Sequence, residues 1–554
     1  MIHKPISGLV PWPADEVKRF RESGVWKERN LVDTIDQVAL SHPHKIAVAD
    51  VKHGVFLSYA ELVESSKVAA LRLHEMGFRD QDHVVFALPN TWHFVVSLLA
   101  CARIGIIPAM ALAEHRKHEL THICSHTQAK ALFAPAEWRE FDFESLALDV
   151  AYNVASIEKI FCFGDNSPQT HNLDALLTPP EEHENCSKLA ELATPNPYQP
   201  VVFQLSGGTT GTPKLISRTH NDYVYNIEKS AEVSHLNENS VLLSCLPIAH
   251  NFGLASPGVL GALYSAGTVV LSASPNPVKC FPIIEEHGVT IAAMVPAVAQ
   301  RWIDYQNEKR TDQIKSLEVI QVGGARMPDE KAPEIQRVLG ARLQQVYGMA
   351  EGLINMTRLD DPEEIILTTQ GRPISPLDEI RVINAAGEEV DDGERGLLIT
   401  RGPYTPRGYF DDPEANERSF IDGWYCPGDV VEKLPDGNLR VHGRDKDIIN
   451  RGGEKISAEE VESVLYQLTS IEQVAVVGMP DEFYGSRVCA YVKPKAGQRV
   501  TLEEITAHLS EIGIARFKYP ERLEIAESLP MTKIKKIDKV KLRKDVEEKL
   551  KCGE

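Results

Sequence analysis

Along the first 330 residues, short continuous apolar runs alternate with longer stretches of helical period. Ser58 and Glu61 have capping-box spacing ahead of apolar Leu62, Ala69, Ala70 and Leu73, which predicts a helix that Gly77 ends. Residues 84–88, Val-Val-Phe-Ala-Leu, then read as a buried strand, 92–104 as a helix and 106–110 as another strand. Strand, helix, strand in that order predicts a parallel sheet covered by helices. A second series of runs at 241–246, 268–271, 291–295 and 319–322 continues the pattern. Between the two series, Val201-Val202-Phe203 predicts a strand, and a helix-compatible stretch begins near His220.

The remaining segments break this rhythm. Residues 1–30 are polar around Trp12 and Trp26 and are expected to form an arm packed on the main body. Residues 164–200, rich in Pro, Asn, Glu and Ser, read as a surface excursion. After about Arg401, turns such as Asp422-Gly423 and Asp436-Gly437 between short alternating runs predict a small β-rich subdomain. From about 445 to 554 the chain reads as a compact α+β module, whose lysine-rich 533–550 is mostly a solvated helix face. The expected division is a core of residues 1–444 and a C-terminal domain of 445–554.

Candidate chemistry concentrates first at residues 204–214, Gln-Leu-Ser-Gly-Gly-Thr-Thr-Gly-Thr-Pro-Lys, expected on a strand-to-helix turn. Glycines bring backbone N–H groups close to an anion, Ser206, Thr209, Thr210 and Thr212 add donors, and Lys214 adds charge. This is a phosphate cradle, but not a kinase-type P-loop, because Pro213 precedes the lysine and Leu215 follows it. At residues 347–351, Tyr347 beside Gly348 offers a flat face for a purine, and Glu351 is placed to hold Mg²⁺ between phosphates.

Net charge narrows the partners. The formal charge of −20 argues against nucleic acid and anionic membrane, so any polyphosphate site is a cationic island in a repulsive field. Nine scattered cysteines with no Cys-x-x-Cys pair fit reduced thiols in the cytoplasm. The most apolar region, 93–113, is interrupted by Arg103, Gly105 and Pro108, so no membrane insertion is expected.

The phosphate loop, Tyr347-Gly-Met-Ala-Glu351, Gly323-Gly324-Ala325, Asp429, Gly443-Arg444-Asp-Lys446-Asp and Thr532 to Lys539 together resemble the acyl-adenylate-forming enzymes. That family includes acyl-CoA synthetases, luciferases and nonribosomal adenylation domains. The resemblance implies an α/β fold: a large N-terminal domain of α/β subdomains with a small β-rich subdomain, then a mobile, small α+β C-terminal domain. It implies ATP contacts at Ser206, Gly207, Gly208, Thr209, Thr210, Gly211, Lys214, Gly324, Tyr347, Asp429 and Arg444. It further implies magnesium at Glu351, a hinge at Lys446, a thiol tunnel at Gly452 and Gly453, and Lys536 as the catalytic lysine. Cys426 and Pro427 replace the family's usual Arg-Thr, and Lys535 stands where glycine is usual.

Residues 250–258, His-Asn-Phe-Gly-Leu-Ala-Ser-Pro-Gly, bear on the acid. His250 falls at the family's gating position. Amino-acid-activating relatives place Asp next to it, whereas Asn251 is neutral, and an unpaired ammonium is costly to bury. The pattern resembles stand-alone aryl-acid ligases of siderophore assembly, with Asn251 set for a 2-hydroxyl, Ser256 for a 3-hydroxyl, and Ala325 and Ile354 as apolar walls. Gly253 stands where that subgroup has Pro. The resemblance thus implies a 2,3-dihydroxybenzoate-AMP ligase passing its product to the phosphopantetheine of an aryl carrier protein in trans. A salicylate ligase, an aryl acid:CoA ligase, a phosphotransferase and a silent nucleotide-binding protein stay open as alternatives.

Overall fold

The computed structural model describes residues 6–179, 188–189, 192, 194–206, 213–327, 329, 331–384, 386–444, 448–530 and 537–552. Its centre is the helix Trp92–Ile104, buried on every side except at Arg103. A helix apolar all round needs a partner on each face. Here those partners are two sheets, because one core cluster joins this helix to Val84, Phe86 and Phe133 on one side and to Val48, Leu242 and Val269 on the other. Arg103 escapes the apolar core by pairing with Asp36, Nη1 to Oδ2, at 2.8 Å. Gly105 ends the helix at φ 74°, a conformation that glycine adopts without strain. The capping box of Ser58 and Glu61 forms as expected and opens the neighbouring helix Tyr59–Glu75.

The first sheet has seven strands in the order Leu215–Thr219, Pro200–Leu205, Ile107–Met110, His83–Phe86, Ala131–Pro135, Lys159–Phe163 and His171–Asn172. The second has nine, and its central strands, Arg342–Gly348, Val319–Val322, Ile291–Met294, Val241–Ser244, Thr268–Leu271 and Ile46–Asp50, are all parallel. A third, antiparallel sheet carries Glu379–Ile383, Arg395–Arg401, Asp429–Lys433 and Leu439–Arg444. Past it, the hairpin Ile448–Arg451 and Glu454–Ser457 and the strands Ile471–Asp481, Gly485–Pro494 and Arg522–Ile525 enclose a separate apolar cluster. The α/β architecture, with its β-rich portion and C-terminal α+β module, is thus present.

Three local expectations are corrected. The glycine-rich loop does not lead directly into a helix. Leu215–Thr219 intervenes as a strand antiparallel to Pro200–Leu205, so the loop joins two strands and the helix His220–Val233 starts only after them. The β-rich portion begins at Glu379, ahead of Arg401. The 164–200 excursion is partly built in: His171–Asn172 extends the seven-stranded sheet, and the helix Leu173–Leu177 buries Leu173, Leu176 and Leu177. The arm contains a helix, Ala14–Glu22, and packs as expected. Trp12 meets Trp26 edge-on at 4.9 Å, Trp26 Nε1 donates to the Pro403 carbonyl at 3.0 Å, and Arg407 stacks over Trp12 and pairs with Glu16 at 2.9 Å.

Candidate active site

The neck of the phosphate loop is closed by its own first and last residues. Ser206 N donates to the Lys214 carbonyl at 3.0 Å, and Lys214 N donates to Ser206 Oγ at 3.3 Å. Gly207, Gly208, Thr209, Thr210 and Gly211 lie outside the described residues, as do the expected hinge Lys446 and the expected catalytic Lys536. Lys214 is buried, with its ammonium 4.8 Å from the centre of the Tyr409 ring. The Tyr409 hydroxyl donates to Glu351 at 3.0 Å, which links the cation of the loop to the expected magnesium ligand.

The next strand and the third sheet bring the other nucleotide candidates together. Tyr347, near the end of Arg342–Gly348, donates its hydroxyl to Asp429 at 2.5 Å, and Asp429 pairs in register with Arg444 across the antiparallel strands. The side chain of Arg444 lies outside the described residues. Among those described, no cluster of three or more His, Cys, Asp or Glu is placed for a metal. One carboxylate completed by substrate phosphates is the ordinary setting for Mg²⁺, and buried Glu351 fits it.

A cavity of about 190 Å³ adjoins these groups, lined by His250, Asn251, Ser256, Val346, Gly324 and Ile354 among others. Asn251 and Ser256 sit at the two ends of the short helix Asn251–Ala255, both buried, and Asn251 Nδ2 donates to Ser256 Oγ at 3.0 Å. Among the described residues, buried Asn251 Oδ1 has no hydrogen-bond partner, which leaves an acceptor for a ligand. Ile354 lines the cavity. Ala325 does not: it is exposed and is absent from the cavity lining. Gly323 is held close, since a Cβ there would lie 3.0 Å from the Phe252 ring. Gly253, unusual for the subgroup it resembles, has a structural cause. A Cβ at this position would meet the Pro247 carbonyl at 2.8 Å, so the helix packs directly on the preceding backbone.

The far side of the cavity comes from the C-terminal module. Gly452 and Gly453, at φ 60° and 99°, form the hairpin turn, and a Cβ on Gly453 would lie 2.8 Å from Val295. Asn450 Nδ2 donates to the Gly324 carbonyl at 2.6 Å, and Glu454 faces His250 at 3.5 Å. Burial opposes charge on Glu454, but the His250 contact together with the charges of His115 and Lys518 outweighs it and holds the carboxyl below its usual range.

Sequence reasoning missed the ionic cluster beside this contact. Lys518 lies buried between Glu119, at 3.1 Å, and Glu460, at 2.7 Å, and Ala515 N also donates to Glu119 at 2.7 Å. Burial pushes Glu460 up to about 7 despite Lys518, whereas on Glu119 burial also opposes charge but Lys518, His115 and the backbone donors of Ala515 and Arg116 together outweigh it and lower the pKa. His115, in the same wall, is pushed down to about 4 by burial. The only sequence signal was a lysine inside the aromatic run Phe517-Lys518-Tyr519. Arg218 and Asn226, fully buried behind Ser256, were likewise missed.

Comparison with known proteins fits this arrangement. The model of AMP-binding enzymes matches residues 35–410, and that of the AMP-binding enzyme C-terminal domain matches 460–536. A Streptomyces protein named salicylyl-CoA synthase / salicylate adenylyltransferase is 46% identical over 538 residues, 97% of each chain. The 2,3-dihydroxybenzoate-AMP ligase of Bacillus subtilis (strain 168) is 42% identical over 550 residues, 99% of each. The solved apo structure of Mycobacterium smegmatis MbtA superposes with a TM-score of 0.74 at 40% identity, covering 97% of this chain and 98% of that one. With a phosphate-loop neck, a tyrosine and aspartate joined beside it and a cavity closed by the C-terminal module, this chain belongs to the acyl-adenylate-forming family of AMP-binding enzymes.

Proposed function

We propose that the protein activates an aryl acid, 2,3-dihydroxybenzoate, and passes it to the phosphopantetheine thiol of a separate aryl carrier protein in siderophore biosynthesis. In the first step a carboxylate oxygen of the acid attacks the α-phosphorus of ATP, the bond to the β-phosphate oxygen breaks, and pyrophosphate leaves. In the second the thiol, losing its proton, attacks the carbonyl of the aryl-AMP, and AMP departs with the bonding electrons. Tyr347 and Asp429 orient the adenosine, Lys214 and the glycine-rich loop take the β- and γ-phosphates, and Glu351 would hold the Mg²⁺ that offsets phosphate charge. Lys536 brings a cation to the acid and the α-phosphate. The C-terminal domain, 445–554, then turns about Lys446 so that Gly452 and Gly453 line the thiol's path.

The observation that carries the choice of acid is the pairing of Asn251 and Ser256 in the cavity wall, with Asn251 Oδ1 unpartnered. A neutral amide and a hydroxyl suit vicinal phenolic hydroxyls, and an ammonium beside them would lack a counter-charge. Salicylate is the second reading, favoured by the name of the 46% identical relative. ATP–pyrophosphate exchange over 2,3-dihydroxybenzoate, salicylate, benzoate, a fatty acid and several amino acids decides between them. The expected outcome is fastest exchange with 2,3-dihydroxybenzoate. A higher kcat/KM for salicylate would discard the assigned acid, and no exchange with any acid would discard the enzyme reading. Acyl transfer to free CoA in preference to a carrier protein would discard the acceptor.

A further inference from the structure

Ser256 Oγ receives a hydrogen bond from Asn251 Nδ2 at 3.0 Å and another from Asn226 Nδ2 at 3.3 Å. A hydroxyl has two lone pairs and one proton. With both lone pairs engaged, Ser256 is left able to donate to a ligand and unable to accept from one.

The orientation of Asn226 is dictated from behind. Arg218, which has only donors, gives Nη2 to Asn226 Oδ1 at 3.3 Å, while the Ala255 carbonyl, which can only accept, takes Asn226 Nδ2 at 2.6 Å. These two neighbours leave the amide one orientation. Arg218 is itself held by Asp222 at 2.7 Å and by the Ala350 carbonyl at 3.1 Å, and both Arg218 and Asn226 are fully buried. Neither lines the cavity.

We propose that Asn226 is a specificity-determining positioning residue. By occupying a lone pair of Ser256, it commits that hydroxyl to donation, so the wall presents an acceptor, Asn251 Oδ1, next to a donor, Ser256 Oγ–H. An aryl acid with two adjacent oxygens satisfies both groups, one oxygen donating and its neighbour accepting. An acid with a single ortho hydroxyl leaves the Ser256 proton unmatched. The proposal rests on the aryl-acid reading of this pocket.

The test is kcat/KM in ATP–pyrophosphate exchange for 2,3-dihydroxybenzoate and for salicylate, in wild type, Asn226→Asp, Ser256→Ala and the double variant. Asn226→Asp keeps the shape beside Arg218 but gives Ser256 an acceptor in place of a donor, so its proton turns away from the ligand. The ratio of the two acids is expected to fall about fivefold in Asn226→Asp, and similarly in Ser256→Ala, with no further fall in the double variant. The KM for ATP should not change in the Asn226 variants. An unchanged ratio in Asn226→Asp beside a collapsed ratio in Ser256→Ala overturns the proposal, and so does an equal loss on both acids, the mark of a merely structural residue. An unchanged ratio in Ser256→Ala overturns the reading of the pocket as well. Should Asn226→Asp fail to fold, Asn226→Ala must shift the ratio in the same direction, and an unshifted ratio there overturns the proposal.

Discussion

At one end of the cavity Asn226, Asn251 and Ser256 hold one another through neutral hydrogen bonds, while at the other Glu119, Lys518 and Glu460, with Glu454 facing His250, fasten the C-terminal module by charge. The neutral end lies within one folding unit, on elements fixed by sheet and helix. It can recognise a hydroxyl by direction, because amides and hydroxyls keep their protonation across the physiological range. The charged end joins residues nearly 400 positions apart in the chain. Such an attachment is strong only while each charge keeps its partner and is sensitive to pH, which suits the turning proposed for the C-terminal domain.

Removing the lysine breaks the charged end outright. Lys518→Met leaves two buried carboxylates without their cation, and the expected loss is about 3–5 kcal/mol, read as a lower midpoint in urea unfolding. Adding Glu119→Gln and Glu460→Gln should recover most of that loss, and a full loss persisting in the triple variant would mean that packing, not charge, makes the attachment.

The neutral end is tested by giving it a charge. Asn251→Asp places a carboxylate where a phenolic hydroxyl and the acid's own negative charge must come near, and kcat/KM for 2,3-dihydroxybenzoate should fall about a hundredfold. A fall of less than threefold would show that Asn251 does not meet the acid.

A smaller effect separates the two ends by pH. Glu460 has its folded pKa raised from 4.5 to about 7, so between those values the folded chain holds a proton that the unfolded chain has released. Its contribution to stability therefore decreases as pH rises through that window. The lowered His115 acts in the opposite sense, gaining stability as pH rises from about 4 to 6.5, so the diagnostic quantity is a difference between proteins. Tm measured from pH 5 to 7.5 should decline less, or rise more, in Glu460→Gln than in wild type, and identical slopes would remove Glu460 from the account. The smallest change is expected away from both ends. Tyr409→Phe removes the hydroxyl bound to Glu351, worth about 1 kcal/mol, and should raise the Mg²⁺ needed for half-maximal exchange a few-fold while leaving the aryl-acid KM alone.

The elements around the neutral end were largely legible in sequence, because short-range rules govern them. Ser58 and Glu61 announce a helix start, and Trp92–Ile104 has the apolar content of a buried helix. Leu215–Thr219 was missed because Arg218 makes it look too polar for a fully buried strand, and its bonds to Asp222, Asn226 and the Ala350 carbonyl allow that burial. Asn251 and Ser256 stand out in a short motif, whereas Asn226, a helical residue with no motif of its own, acquires its meaning from Arg218 and Ser256 in space. Lys518 was illegible for the same reason, since nothing local to residue 518 specifies that Glu119 will lie beside it. Ala325 shows the reverse error. The resemblance implied a wall there, but the residue is exposed and does not line the cavity.

The amino-terminal arm carries a lesson about order of assembly. Trp26 finds its hydrogen-bond acceptor 377 residues downstream, and Arg407 reaches back 391 residues to Glu16. At ~5–20 residues per second of synthesis, the indoles of Trp12 and Trp26 wait roughly 20–75 s for the surface that buries them. Chains arrested on the ribosome before residue 403 should therefore show water-exposed tryptophan emission from this arm, and longer ones a blue shift; blue-shifted emission in the short chains would show that another surface covers the arm first. The arm therefore completes its contacts only after the stretch holding Pro403 and Arg407 has been made.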